Sequence, residues 1–123
     1  MNKPLKLITL VLTTLWLVGC GSGKSDEGPR RLELFFLGHS SKHHNSEQLA
    51  DILRQEYASE GINITYSEDP EDLTRDDLFR YDGLILYANH DTITVAQEEA
   101  LLKFVASGKG FIPLHSASFC FRN

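Results

Sequence analysis

The chain has 123 residues, 12 basic against 17 acidic for a formal net charge of −5, and two cysteines. That length holds one domain at most, and the acidic balance excludes the basic footprint of a nucleic-acid binder. Two cysteines also exclude a disulfide framework.

The first 20 residues carry the marks of an export leader. Lys3 and Lys6 form a positive n-region, and Leu7 to Val18 is an uncharged, largely apolar run of 12 residues. A membrane-spanning helix needs about 20 such residues, so the run fits a removable signal better than a permanent span. It ends in Leu17-Val18-Gly19-Cys20, which resembles a bacterial lipobox. In that reading the Cys20 sulfur receives the lipid, and small Gly19 admits the peptidase. Each buried acyl CH2 adds about 0.8 kcal/mol to the anchor. Gly21, in place of an Asp after Cys20, directs such an anchor to the outer membrane, facing the periplasm. Loss of Lys3 and Lys6 leaves 10 basic and 17 acidic residues, so the exported part is more acidic still. The expected organisation is a lipoprotein signal over 1–20, a flexible tether over 21–30 and a folded domain over 31–123. The tether is rich in glycine and polar residues (GSGKSDEGPR).

After the tether the pattern alternates strand and helix, which predicts an α/β fold on a parallel sheet. Leu32 to Leu37 reads as the first strand, stopped by Gly38. Asn45 caps a helix with Gln48 three residues on, and Leu49, Ile52, Leu53 and Tyr57 are its expected buried stripe, with Gly61 ending it. Ile62 to Tyr66 is a second strand. Ser67 to Arg80 is acidic; it reads as a solvated loop and short helix with Leu73, Leu78 and Phe79 turned inward. Gly83 to Ala88 is the most apolar run after the leader, as expected of a central strand buried on both faces. Thr94 and Gln97 open a second helix as a capping box, with Ala100, Leu101, Phe104 and Val105 as its buried stripe and Gly108 as its stop. Gly110 to Leu114 is the fourth strand, where Pro113 is expected to delete one ladder hydrogen bond. Four strands bury little core for this class, so the sequence is expected to be the amino-terminal piece of a longer domain.

Open parallel sheets bind ligands outside the carboxyl ends of their strands. His39, His43 and His44 follow the first strand, His90 follows the third, and His115 follows the fourth. All five histidines therefore fall in loops on one edge of the sheet, together with Asn45, Asp91, Ser116 and Ser118. The sharpest expectation is a single pocket lined by at least His39, His44 and His115. No spacing matches a metal motif such as HExxH, so no metal and no cofactor is expected. Imidazoles, an amide and hydroxyls do offer matched donors and acceptors for a sugar or polyol. A histidine at such a site also suits general acid or base work. Cys120 has no partner for a disulfide and reads as a buried, inert thiol rather than a nucleophile. Its neighbours Phe119 and Phe121 are expected to contribute an apolar wall.

The segments LFFLGHSSKHHNSEQL, LTRDDLFRYDGLILYANHDTIT and EEALLKFVASGKGFIPLHSASFCF resemble the amino-terminal half of a ThuA-like, or trehalose-utilisation, domain. The resemblance runs from Leu32 to Asn123 and is most specific where a Gly-x-Gly turn feeds a strand ending in His-Ser-Ala. It implies a flavodoxin-like doubly wound sheet similar to the class I glutamine amidotransferases. In those enzymes the fourth strand delivers a cysteine on a sharp elbow. Here His115 matches that position and Ala117 replaces the elbow glycine, so glutamine amidotransfer is disfavoured. The resemblance implies a carbohydrate context. Set beside the reading of the sheet edge, it makes His115 and His44 the expected acid–base residues and His39, His43, Asn45, His90, Asp91 and Ser116 the expected binding residues. The alternative is a non-catalytic module docking other domains of a longer, sugar-dehydrogenase-like chain.

Overall fold

A computed structural model describes residues 28–122. The expected leader, Cys20 and tether residues 21–27 lie outside the described residues. Four strands form one all-parallel sheet: β1 (Leu32–Gly38), β2 (Ile62–Ser67), β3 (Gly83–Tyr87) and β4 (Gly110–Pro113), in the order β2-β1-β3-β4. Helix α1 (Ser46–Tyr57) links β1 to β2, and α2 (Val95–Ala106) links β3 to β4. Between β2 and β3 the acidic segment makes two 3₁₀ turns, Pro70–Thr74 and Leu78–Arg80, and a third spans His115–Phe119. This is the α/β, flavodoxin-like order of a doubly wound sheet.

Strand periodicity sorts the core into two layers, because successive side chains leave opposite faces of a sheet. Phe35 and Leu37 of β1 join Leu84 and Leu86 of β3 on one face, under Phe104 of α2 and Leu73 and Leu78 of the 3₁₀ turns. Phe36 and Ile85 face the other way, onto Ala50 of α1 and Ile64 of β2. The register places Phe36 directly beside Ile85. Both central strands are thus covered on both sides, as their unbroken apolar runs require.

Four local expectations need correcting. Ile52 and Tyr57 are 48% and 45% exposed. The inward face of α1 instead runs through Ser46, Leu49, Ala50 and Leu53. That is the i, i+3, i+4, i+7 spacing of one helix face, and Ile52 falls off it; Tyr57 is in phase with the face but is the last residue of the helix and stands exposed there. On α2, Gln97 and Phe104 are buried while Val105 is exposed. Phe79 lies at the surface instead of turning inward, with its ring 5.9 Å from Phe104 and the Lys103 ammonium 5.3 Å from its centroid. Finally, Pro113 costs no bond to β3. The amides of Gly110 and Leu114 donate to Asp82 and Leu86 of the β3 side at 2.9 and 2.8 Å. Alternate residues therefore face β3, and Pro113 turns its nitrogen to the open edge, where a missing N–H is tolerated.

Arg30, the last residue of the expected tether, is tied down. Its guanidinium donates to both carboxylate oxygens of Asp82 at 3.0 and 2.6 Å, and the Glu33 amide donates to the same carboxylate at 2.9 Å.

Candidate functional site

Strand order decides which post-strand loops are neighbours. From β1 the chain turns to α1 on one face, and from β3 it turns to α2 on the other, so the β1 and β3 loops part and leave a crevice. This is the switch point at which sheets of this kind take ligands. His39 and His90 stand in it, stacked face to face with ring centroids 4.5 Å apart and planes 10° apart. The His90 Nε2 lies 3.3 Å from the Gly38 carbonyl, and the buried Nδ1 of His39 has no hydrogen-bond partner. Burial, then the neighbouring His39, hold the His90 pKa below its ordinary value, against the pull of the Gly38 carbonyl.

Behind this pair the β1 loop is braced by a polar network. The Ser46 hydroxyl accepts from the His39 amide at 2.9 Å and lies 2.8 Å from the Tyr66 hydroxyl. Tyr66 donates to Glu68 at 2.5 Å, and the Ser40 amide donates to the same oxygen at 3.0 Å. The Tyr66 donation, with help from Ser40, lowers the Glu68 pKa. Gly38 permits this arrangement: a Cβ there would lie 2.3 Å from the Tyr66 ring and 2.7 Å from the Ser46 oxygen.

A second group of rings gathers one strand over. His44, from the β1 loop, meets His115 edge-on at 4.9 Å, and both stand edge-on to Tyr87, at 5.6 and 6.2 Å. The His44 Nδ1 is 3.3 Å from the Tyr87 hydroxyl. His115 takes a left-handed backbone, φ 46°, an uncommon conformation for a side-chain-bearing residue. That is an elbow, at the position the sequence comparison marked for one, and it stands without a glycine two residues later. The following turn is pinned to β3 through one carbonyl: Ser116 Oγ and Cys120 Sγ both donate to Ala88 O, at 2.9 and 2.8 Å. Burial raises the Cys120 pKa, in keeping with a thiol that packs rather than reacts.

His44 and His115 face an open cavity of about 520 Å³, whose lining is completed by Asn89, Ser116, Phe119 and Arg122, with Tyr87 behind the two imidazoles. A neighbouring depression of about 540 Å³ is lined by Ser40 to Asn45 and Glu47, and the two share His44. The expected single pocket is therefore two clusters. His44 and His115 share a cavity, whereas His39 is absent from its lining and stacks on His90 instead. His43 is exposed in the neighbouring depression. Asn45 lies there too, its side chain accepting from the Gln48 amide at 3.1 Å as the cap of α1. Asp91 is ion-paired with Arg122. The Ser116 hydroxyl, although on the cavity wall, already donates to Ala88. Tyr87, Asn89 and Arg122 were not anticipated. Tyr87 had a readable signal, a phenol closing the central strand at the edge where ligands bind. Among the described residues no group of three or more His, Cys, Asp or Glu is arranged to hold a metal ion.

A family model described as ThuA, trehalose utilisation, matches residues 34–123. The chain belongs to the ThuA family. Among solved structures, a ThuA-like protein from Bacteroides uniformis is similar, with a TM-score of 0.62 at 17% identity. The match covers 77% of this chain and 40% of that one, so the ThuA chain described here spans less than half the length of that relative. At this identity the likeness concerns the fold. A search of curated proteins returns no match.

Proposed function

We propose that this ThuA domain binds or transforms a sugar, of the disaccharide type its family description names, in the cavity where His44 meets His115. The edge-on contact of these two imidazoles beside Tyr87, on the ligand-binding edge of the sheet, carries the reading. Imidazole exchanges protons near neutral pH and can serve as acid or base toward a sugar hydroxyl or carbonyl. His115, held on its elbow, faces the cavity, and Tyr87 orients His44 through the Nδ1 contact, leaving the other ring nitrogen for a ligand. Asn89 and Arg122 add an amide and a guanidinium for hydroxyl groups. His39, His43, Asn45, His90 and Asp91 then act around the site, shaping the loops that form it.

Export and a lipid anchor at Cys20 belong to the same proposal, resting on Lys3, Lys6, the apolar run after them and Leu17-Val18-Gly19-Cys20. Such an anchor would hold the domain on the envelope with the sugar site in the periplasm.

Calorimetric titration of the full chain with trehalose and with its keto derivative tests the reading. Heat of binding is expected, falling at least about tenfold in affinity in His115→Ala. An unaltered titration in that variant would falsify it.

A second reading has its own support: all four β4 residues are exposed, and the outer edge of that strand is unpaired among the described residues. A module of this shape also serves to dock further domains of a longer chain. Domain association that survives His115→Ala, in a protein with no sugar affinity, would favour it.

A further inference from the structure

Phe119 and Phe121 flank Cys120, yet their fates differ. Phe121 packs against the buried cluster of Phe35, Leu37 and Phe104. Phe119 is 63% exposed and stands in the wall of the cavity shared by His44 and His115. The segment that carries it is not a loose end. Its turn is held by the two donors on Ala88 O, and beyond it the amides of Phe121 and Arg122 donate to the carbonyls of His90 and Asp91 at 2.9 and 2.6 Å. The backbone that carries this exposed ring is thereby fixed, and the ring stands on the wall of an otherwise polar recess.

We infer that Phe119 is a stacking platform for a cyclic sugar, its ring face covering the apolar C–H face of a pyranose. The inference rests on the sugar reading above and narrows it to ring-closed ligands. A pyranose is amphipathic in the way this cavity is, with one face of C–H groups and a rim of hydroxyls. The Phe119 ring would meet the face, while His44, Asn89, His115 and Arg122 are disposed to meet the rim. Desolvating an aromatic face against carbon is favourable, and a rigid ring loses little conformational freedom in doing so. An open-chain polyol carries comparable hydroxyls but presents no flat apolar face. The cavity, at about 520 Å³, falls in the range that encloses small ligands. Specificity for ring over chain is thus assigned to Phe119, and proton chemistry to the imidazoles.

The test is calorimetry on the full chain with trehalose and, separately, sorbitol. Phe119→Ala is expected to weaken trehalose by about five- to tenfold while leaving sorbitol, the weaker ligand, unchanged. Phe119→Trp should retain trehalose affinity, and its indole emission should shift to the blue as the sugar covers it. If wild type binds trehalose and His115→Ala abolishes it while Phe119→Ala does not weaken it, the platform is wrong and the sugar site stands. If wild type takes neither ligand, both inferences fall. Because Phe119 is largely exposed, the alanine variant should melt like wild type. Should it fail to fold, an emission in Phe119→Trp that ignores trehalose overturns the platform by itself.

Discussion

His90 sits against a ring it cannot share charge with. Its face lies on His39, its pKa is held down chiefly by burial, and Glu68 and Asp69 at the end of β2 oppose that only in part. A histidine whose folded pKa lies below the unfolded value is protonated more readily in the unfolded chain. Stability then rises with pH across the interval between the two values and falls as the pH drops through it. The melting temperature should accordingly drop by on the order of a few degrees between about pH 7.5 and about pH 5.5. His90→Gln should flatten that limb in a calorimetric series. An acid limb as steep in the variant as in wild type would remove His90 from the explanation. At the same scale, His39 was expected to line one pocket with His44 and His115; it is absent from their cavity and stacks on His90 instead. Five imidazoles on one edge could be read from position alone, but which ones touch depends on side-chain directions that have no period in the sequence.

Elements here are secured at their amino ends as much as by their packing. Asp82, just ahead of β3, accepts from Arg30 and from the Glu33 amide, while its own backbone bonds Glu33 and Gly110. One residue therefore joins the start of the domain to the starts of β1, β3 and β4. Its carboxyl is lowered to about 2, first by the Arg30 guanidinium and then by the Glu33 amide. A depressed carboxylate contributes stability above its unfolded pKa, near 4, and loses it as the pH falls toward 2. Asp82→Asn should lower the urea midpoint at neutral pH, and the gap from wild type should close between about pH 4 and about pH 2. A gap independent of pH would mean the loss is steric. The four strands and two helices were all legible in the chain, because caps such as Thr94 with Gln97 and runs such as Gly83 to Ala88 are local. The face that α1 buries was not, since Ile52 and Tyr57 are as apolar as residues that do reach the sheet.

For the molecule as a whole, the proposed anchor is directly testable. Cys20→Ser should abolish incorporation of labelled palmitate and move the protein from the membrane to the soluble fraction. Continued labelling would place the lipid elsewhere. The β4 edge, with Phe111 and Ile112 exposed on its two faces, belongs to this scale as well, in a chain matching 40% of its solved relative.

Taken alone, the sequence determined the parallel α/β sheet, the family to which it belongs and the edge that collects the histidines. The sheet and the histidine edge follow from hydrophobic period, capping residues and the direction in which strands run; the family rests on the resemblance of the chain's motifs. Only the tertiary structure decided that His39 pairs with His90 while His44 turns to Tyr87 and His115. The order β2-β1-β3-β4 sets which loops are neighbours, and the left-handed backbone at His115 sets where its ring points. Neither is a local property of the chain.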